Sequence, residues 1–237
     1  MDSVYRITQW IAAALLPPTC LCCGRPGAAG LDLCAGCYRD LPRNRHACHG
    51  CAAPVAAGVH LCGHCQTHAD HCNAVIAPWR YEAPIDGLIQ ALKFHGQLPA
   101  GQLLGALLAR ELVQRHPPTV DAIIPMPAHP RRLRERGFNQ AAEIARAISA
   151  ATGIPVRHHW LLRRRHTRPQ TGLGRTHRER NLLGAFTAHP AVAGCRLALV
   201  DDVVTTGSTS TEAAQALKRA GASDVVTWAV ARAALQL

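Results

Sequence analysis

The sequence predicts an α/β protein, a mostly parallel sheet preceded by a small cysteine-rich module. Three observations carry this reading. From Ala74 onward, short apolar runs alternate with longer stretches of helical periodicity, the pattern of strand–helix–strand units. Residues 17–72 differ in texture, being rich in Cys, Gly, Pro and Ala with little periodicity. Ten of the eleven cysteines fall before residue 73, and Cys195 stands alone. With 237 residues the chain has room for one ordinary domain and a small one, and its 48% hydrophobic content supports a sizeable core. We divide it into an N-terminal helix over 1–18, the cysteine module over 19–73 and the α/β domain over 74–237.

The elements follow in order. Trp10 to Leu16 is apolar but far too short to span a bilayer, and it leads into Pro17-Pro18 without a small-residue cleavage site. We expect an amphipathic helix packed on the protein, and a cytoplasmic location. Ala74 to Tyr81 reads as a strand, Ile85 to Phe94 as a helix with apolar spacing of three and four, and Pro99 to Arg115 as another helix ended by His116-Pro117-Pro118. Ala122 to Ile124 is a short buried strand, and Asn139 to Ala151 a helix closed by Gly153. Leu197 to Val200 is a strand, Ser208 to Ala220 a helix closed by Gly221, and Val225 to Val230 a last strand.

The cysteines form a ruler. Cys20/Cys23, Cys34/Cys37, Cys48/Cys51 and Cys62/Cys65 are four C-x-x-C pairs, each starting fourteen residues after the one before. A C-x-x-C bend places two thiolates on one side of a turn, and two bends complete a tetrahedral zinc shell. Eight ligands therefore predict two structural zinc sites. A disulfide framework would need an oxidising compartment, which nothing in the sequence supports. Equal spacing allows sequential or crossed ligation, and we favour the sequential arrangement. Cys22, Cys72, His46, His49, His60, His64 and His68 are read as spectators. Some fifty residues cannot build a sufficient core alone, so zinc takes its place.

The net charge of +11 points to an anionic ligand or partner: nucleic acid, an acidic membrane surface or a small polyphosphate. Aromatic residues at 4% weigh against an RNA-stacking platform. The sharper signal is Leu197-Ala198-Leu199-Val200-Asp201-Asp202-Val203-Val204-Thr205-Thr206-Gly207-Ser208-Thr209. An apolar strand delivers two acids at its carboxyl end, where ligands bind in parallel sheets. A loop of small hydroxyl residues around Gly207 then opens a helix, so backbone N–H groups and the helix N-terminus face an anion. Adjacent carboxylates repel a purely phosphate ligand, yet they suit one that also presents a ribose diol. An acidic turn with a Ser/Thr cap is the plainer alternative, but strand, acids, loop and helix all fall in order.

These thirteen residues resemble the PRPP-binding signature of type I phosphoribosyltransferases. The wider chain, from about Cys20 to Ala231, resembles the ComF family (ComFC- and GntX-like proteins), which joins a double zinc ribbon to that domain. Lys93-Phe94-His95-Gly96, Pro125-Met126-Pro127, Arg134 to Gln140, Pro169-Gln170 and Arg178-Glu179-Arg180-Asn181 match its pattern; Met126, where valine is usual, is a mild departure. The resemblance implies that Asp201 and Asp202 hold the ribose hydroxyls and that Thr205, Thr206, Gly207, Ser208 and Thr209 hold the 5′-phosphate. It makes Pro127 to Gly137 a pyrophosphate loop carrying Arg131, Arg132, Arg134 and Arg136. Residues 163–181 become a flexible loop carrying Arg163, Arg168, Gln170, Arg175 and Arg178. Mg²⁺ would accompany the diphosphate, and ribose 5-phosphate would pass to an acceptor that the sequence does not identify. The same resemblance implies a link to natural transformation and DNA uptake, with single-stranded DNA and a competence helicase as partners. In that second reading PRPP binding is regulatory and no transfer occurs.

Overall fold

The computed structural model describes residues 17–67, 74–115, 119–163 and 184–234. Most of the expected N-terminal helix and all of 164–183 lie outside the described residues. The chain divides into two compact units, one ending at Leu41 and the other beginning at Pro42.

The first unit is a pair of cysteine bends. Arg25 O and Gly24 N close the Cys20 bend through hydrogen bonds to the Cys20 backbone of 2.7 and 2.9 Å. Helix α1 (Ala35–Arg39) carries the second bend, with the Cys34 thiol capping it by accepting from Cys37 N. Leu31, Leu33 and Leu41 supply a minimal buried apolar set, consistent with a module that relies on metal rather than on core volume.

The second unit begins with another pair of bends, the last of them in helix α2 (Gly63–Thr67). The sheet follows. The expected strand over 74–81 is split into β1 (Val75–Ile76) and β2 (Trp79–Arg80), both parallel to the last strand. Pro78 lies at the break and has no N–H to offer a ladder. Helix α3 (Ile85–His95) ends at Gly96, whose φ of 63° only glycine adopts cheaply. Helix α4 (Leu98–Arg115), strand β3 (Ala122–Pro125), helix α5 (Pro130–Arg136) and helix α6 (Gln140–Thr152) come next. Asn139 caps α6 through its side chain and Gly153 closes it, as the sequence signals foretold. A two-stranded antiparallel ribbon of β4 (Leu161–Arg163) and β5 (Phe186–Ala188) was not foreseen. The run ends with β6 (Arg196–Val204), α7 (Ser208–Arg219) and β7 (Asp224–Arg232).

Strand order is β1-β7-β6-β3, with β2 also on β7, and every one of these pairs is parallel. β3, β6 and β7 are nearly continuous apolar runs, as strands covered on both faces must be. One face packs Ile124, Leu197, Leu199 and Val225 against Ala213 and Leu217 of α7 and against Leu161 and Phe186 of the ribbon. Among the described residues no helix is long and apolar enough to cross a membrane.

Helices α4 and α6 approach closely because Gly105 has no side chain. A Cβ there would stand 2.6 Å from both Ala147 Cβ and Ile144 O. Backbone cannot yield cheaply at that distance, so Gly105→Ala should destabilise the second unit by about 1–3 kcal/mol, the usual cost of overpacking. A thermal melt with a midpoint unchanged from wild type would show that the two helices separate freely.

Candidate functional site

Eight cysteines gather into two groups. The ligand atoms of Cys20, Cys23, Cys34 and Cys37 lie within 4.8 Å of one another, and so do those of Cys48, Cys51, Cys62 and Cys65. This is the sequential grouping. Cys23 and Cys34 Sγ are 3.6 Å apart, as are Cys51 and Cys62 Sγ, distances that four thiolates around one tetrahedral ion require. At the first cysteine of each group the backbone stabilises thiolate. Burial would raise the Cys20 thiol, but backbone hydrogen bonds from Cys34, Cys22 and Cys23 outweigh it and bring it down to about 6. Cys48 follows the same logic and falls to about 7, with the backbone at Cys62, Cys51 and Gly50 opposing burial. Both groups thus fit two structural zinc ions. Cys22 and the histidines stay outside them, and Cys72 and His68 lie outside the described residues.

The second site lies where β6 loses a neighbour. β3 pairs with β6 only as far as Pro125↔Val200, with Met126 N donating to Val200 O at 2.8 Å. From Asp201 onward that edge of β6 is open, while β7 still supports the other. Both acids therefore stand at the carboxyl end of a parallel strand, past its last pair with β3. The strand runs on to Val204, past the Val200 end read from the sequence, because pairing with β7 continues to Val204↔Arg232. Thr205 and Thr206 then turn the chain, and Gly207 at φ 84° opens α7 with no side chain of its own, while Ser208 N donates to Thr206 Oγ1 at 3.4 Å. Thr206 Oγ1 and Ser208 Oγ are 3.0 Å apart, so the hydroxyls of the loop converge. The first-turn N–H groups of α7 point into this loop, the arrangement that binds anions.

Asp202 is 3% exposed and forms an ion pair with Lys93, in the last turn of α3. Burial, then the charge of Asp202 beside it, hold the Asp201 carboxyl well above the usual carboxylate range, and Lys93 draws it partly back. The cations around the pair come from two further elements. Arg136 on α5 lies 5.4 Å over the Phe94 ring and donates to Gln140 Oε1 at 3.3 Å. Burial lowers the Arg136 guanidinium, Arg132 lowers it further, and Asp202 opposes both. Arg163 at the end of β4 is lowered in turn by burial and by Arg132, with Asp201 in opposition. Lys93, Arg132, Arg136 and Arg163 therefore share one electrostatic neighbourhood with Asp201 and Asp202.

The expected pyrophosphate loop is largely a helix. Pro130 at its first position, the His129 side-chain cap and the left-handed Gly137 after it make Pro130–Arg136 a defined helix of about two turns. Its helical spacing separates the arginines: Arg131 pairs with Glu135 at 2.8 Å on an exposed face, while Arg136 turns toward the acids. Arg134 is exposed. Arg168, Gln170, Arg175 and Arg178 lie outside the described residues. Lys93 was quoted in a family motif without a role; its signal was a lysine one turn before a glycine helix stop. Arg232, fully buried behind the Thr205 loop, gave no such signal.

Residues 11–66 match the double zinc ribbon domain. The chain is 32% identical over 229 residues to competence protein F of Haemophilus influenzae, covering 90% of this chain and 95% of that one. The chain belongs to the ComF family. It is also 32% identical over 222 residues to the DNA utilization protein YhgH of Shigella flexneri, covering 92% of this chain and 98% of the relative. Competence protein ComFC of Streptococcus pneumoniae is 26% identical over 156 residues, 66% of this chain and 67% of the relative. Among solved structures, a glutamine PRPP amidotransferase from B. subtilis aligns with TM-score 0.38 and 23% identity, over 55% of this chain and 26% of that one. A purine phosphoribosyltransferase from Pyrococcus horikoshii aligns with TM-score 0.33 and 17% identity, over 54% and 80%. In this chain the double zinc ribbon precedes an α/β domain built on a parallel sheet.

Elemental analysis of this ComF-family chain should give close to two zinc ions, and Cys34→Ser should lose one. Stable metal-free protein with paired cysteines would sink the zinc assignment. A second prediction follows from Asp201. A raised carboxyl binds its proton more firmly folded than unfolded, so its charge costs stability as pH climbs from about 4, the unfolded value, through the raised folded one. Asp201→Asn escapes that cost. It should melt above wild type at pH 8 by a few degrees, about 2–4 °C per kcal/mol for a chain this long. The gap should close as pH falls, and a lower melting point than wild type at pH 8 contradicts the reading.

Proposed function

We propose that the chain binds PRPP with Mg²⁺ and transfers its ribose 5-phosphate to an acceptor. One observation carries this: two acids at the carboxyl end of β6 lead, within five residues, through a loop of hydroxyl side chains into the N-terminus of α7 at Gly207. A ribose diol and a phosphate on one ligand span that pairing. Asp201 and Asp202 accept from the ribose hydroxyls, while Thr205 to Thr209 enclose the 5′-phosphate by backbone N–H groups and hydroxyls. Arg136, Arg132 and Arg163 supply fixed positive charge for the diphosphate as it departs. Lys93 cancels one of the two acid charges, so a polyanion approaches a nearly neutral pair.

Among the described residues only the cysteine groups have metal-ligand spacing. Mg²⁺ therefore fits as an ion carried by the diphosphate, which is how that ion commonly enters phosphate sites. Its contribution when bound is to neutralise diphosphate charge.

The names of the relatives favour a second reading, a DNA-handling protein of the cytoplasm in which PRPP is a regulatory ligand. Single-stranded DNA and a competence helicase are then its partners. The stretch 163–180 holds seven arginines against one acid, Glu179, more positive charge than one diphosphate needs.

Calorimetry with Mg²⁺ and PRPP should give saturable binding that Asp202→Asn weakens roughly tenfold or more, since a charge-assisted hydrogen bond contributes about 1.5–3 kcal/mol. Equal binding by that variant means that the acid pair has another task. Pyrophosphate release across a panel of acceptors then separates the readings. Release with any acceptor supports transfer. PRPP binding without release, together with oligonucleotide anisotropy that responds to PRPP, supports the regulatory reading.

A further inference from the structure

Arg232, the last residue of β7, is 1% exposed. Its guanidinium faces only backbone carbonyl groups in the hydrogen bonds it makes. Nε donates to Cys51 O at 2.9 Å; Nη1 donates to Val204 O at 3.1 Å, to Ala233 O at 3.0 Å and to Thr205 O. A buried cation without an acid partner is expensive, and it persists where several dipoles are fixed around it. Two of the carbonyls belong to different functional parts. Cys51 is a ligand of the second zinc group, and Thr205 opens the proposed phosphate loop.

A second contact joins the same parts independently. Ala52, next to Cys51, is buried against Val204, Ala229 and Ala77. Asn44 holds that bend from behind, donating to Ala52 O at 2.9 Å and Ala77 O at 3.1 Å. The bend is thus fixed to the end of β6 by an apolar contact on one residue and by a guanidinium bridge on its neighbour.

We propose that Arg232 is a positioning residue that makes the second zinc group part of the phosphate loop: metal at Cys48, Cys51, Cys62 and Cys65 sets the geometry of Thr205 to Thr209. The ligand side of this rests on the reading of that loop as a phosphate site; the link between bend and loop does not. Because coupling is reciprocal, PRPP should tighten zinc at this group as zinc organises the loop for PRPP. Lysine keeps the charge of Arg232 but lacks the fork that reaches two carbonyls at once.

The test uses the full chain. Amide hydrogen exchange is followed across Thr205 to Thr211 in wild type, in wild type after chelator has removed zinc, and in Cys62→Ser. Loss of second-group zinc should raise exchange there at least fivefold while the central strand peptides, Leu197 to Leu199 and Val226 to Ala229, stay protected. Unchanged loop exchange overturns the link, and so does loss of protection throughout the sheet, which makes zinc a general folding requirement. A second arm measures zinc transfer to a chromogenic chelator with and without Mg²⁺ and PRPP. PRPP should slow the transfer at least fivefold in wild type and not in Arg232→Lys. Equal slowing in both removes Arg232 from the link. If calorimetry finds no PRPP binding while the exchange result holds, the phosphate reading fails and the link stands.

Discussion

The pairing of β6 with β7 is the constraint from which the functional end of this molecule follows. β6 is bonded to β7 from Arg196↔Asp224 to Val204↔Arg232, while β3 leaves it at Val200. A strand supported on one side only, at its carboxyl end, keeps its direction while its other edge is past the last pair with β3. Asp201 and Asp202 occupy that stretch, Thr205 follows when the pairing stops, and Arg232 is the β7 residue opposite the last paired position. A slip of one residue would turn every one of these side chains to the other face. The apolar runs on both strands resist such a slip, because Leu197, Leu199 and Val225 would lose their fitted partners on α7 and the ribbon.

Charge is the second constraint. Adjacent buried carboxylates oppose each other, and the cost appears in Asp201, whose carboxyl is held well above its ordinary range. The Lys93 ion pair limits that cost by placing a cation at the buried end of Asp202. α3 must therefore stop where it does. Gly96 ends the helix three residues after Lys93 in a left-handed turn, and the helix C-terminus itself favours a cation in its last turn. Arg136 and Arg163 reach the same neighbourhood from elements far apart in sequence. The site thus stores opposed charges that a ligand with hydroxyls and phosphates can satisfy together, while a simple anion meets only half of what it offers.

The local signals were legible, and the cross-chain ones were not. Four C-x-x-C pairs state their chemistry in their spacing, and an apolar run ending in two acids and a glycine loop states its place in a parallel sheet. Asn139 and Gly153 marked the ends of α6 because capping depends on neighbouring residues. Pro127 to Gly137 was read as a loop from the family resemblance, although Pro130 and Gly137 are the start and stop of a helix. Lys93 meets Asp202, and Arg232 meets Cys51, across more than a hundred residues, and no local pattern encodes such a pairing. Arg43, which meets Glu111 of α4 at 2.6 Å, was missed for the same reason.

The cysteine repeat shows how equal spacing can serve unequal ends. At Cys20 and Cys48 the first cysteine donates its N–H five residues ahead, to Arg25 O and Ala53 O, and its carbonyl accepts from the residue four ahead. That fourth residue is left-handed in both bends: Gly24 at φ 73° and Ala52 at φ 55°. Glycine takes this conformation at no steric cost, whereas alanine loses about 1–2 kcal/mol. In the first bend the space beside Gly24 is open, and glycine serves. In the second bend the methyl of Ala52 is buried against Val204 and Ala229, and burial of a methyl is of similar size to the backbone cost. The same fourteen-residue unit therefore forms a free-standing turn once and a docked turn the second time. One side chain at the left-handed position separates the two outcomes, and the docked copy carries the carbonyl that Arg232 grips.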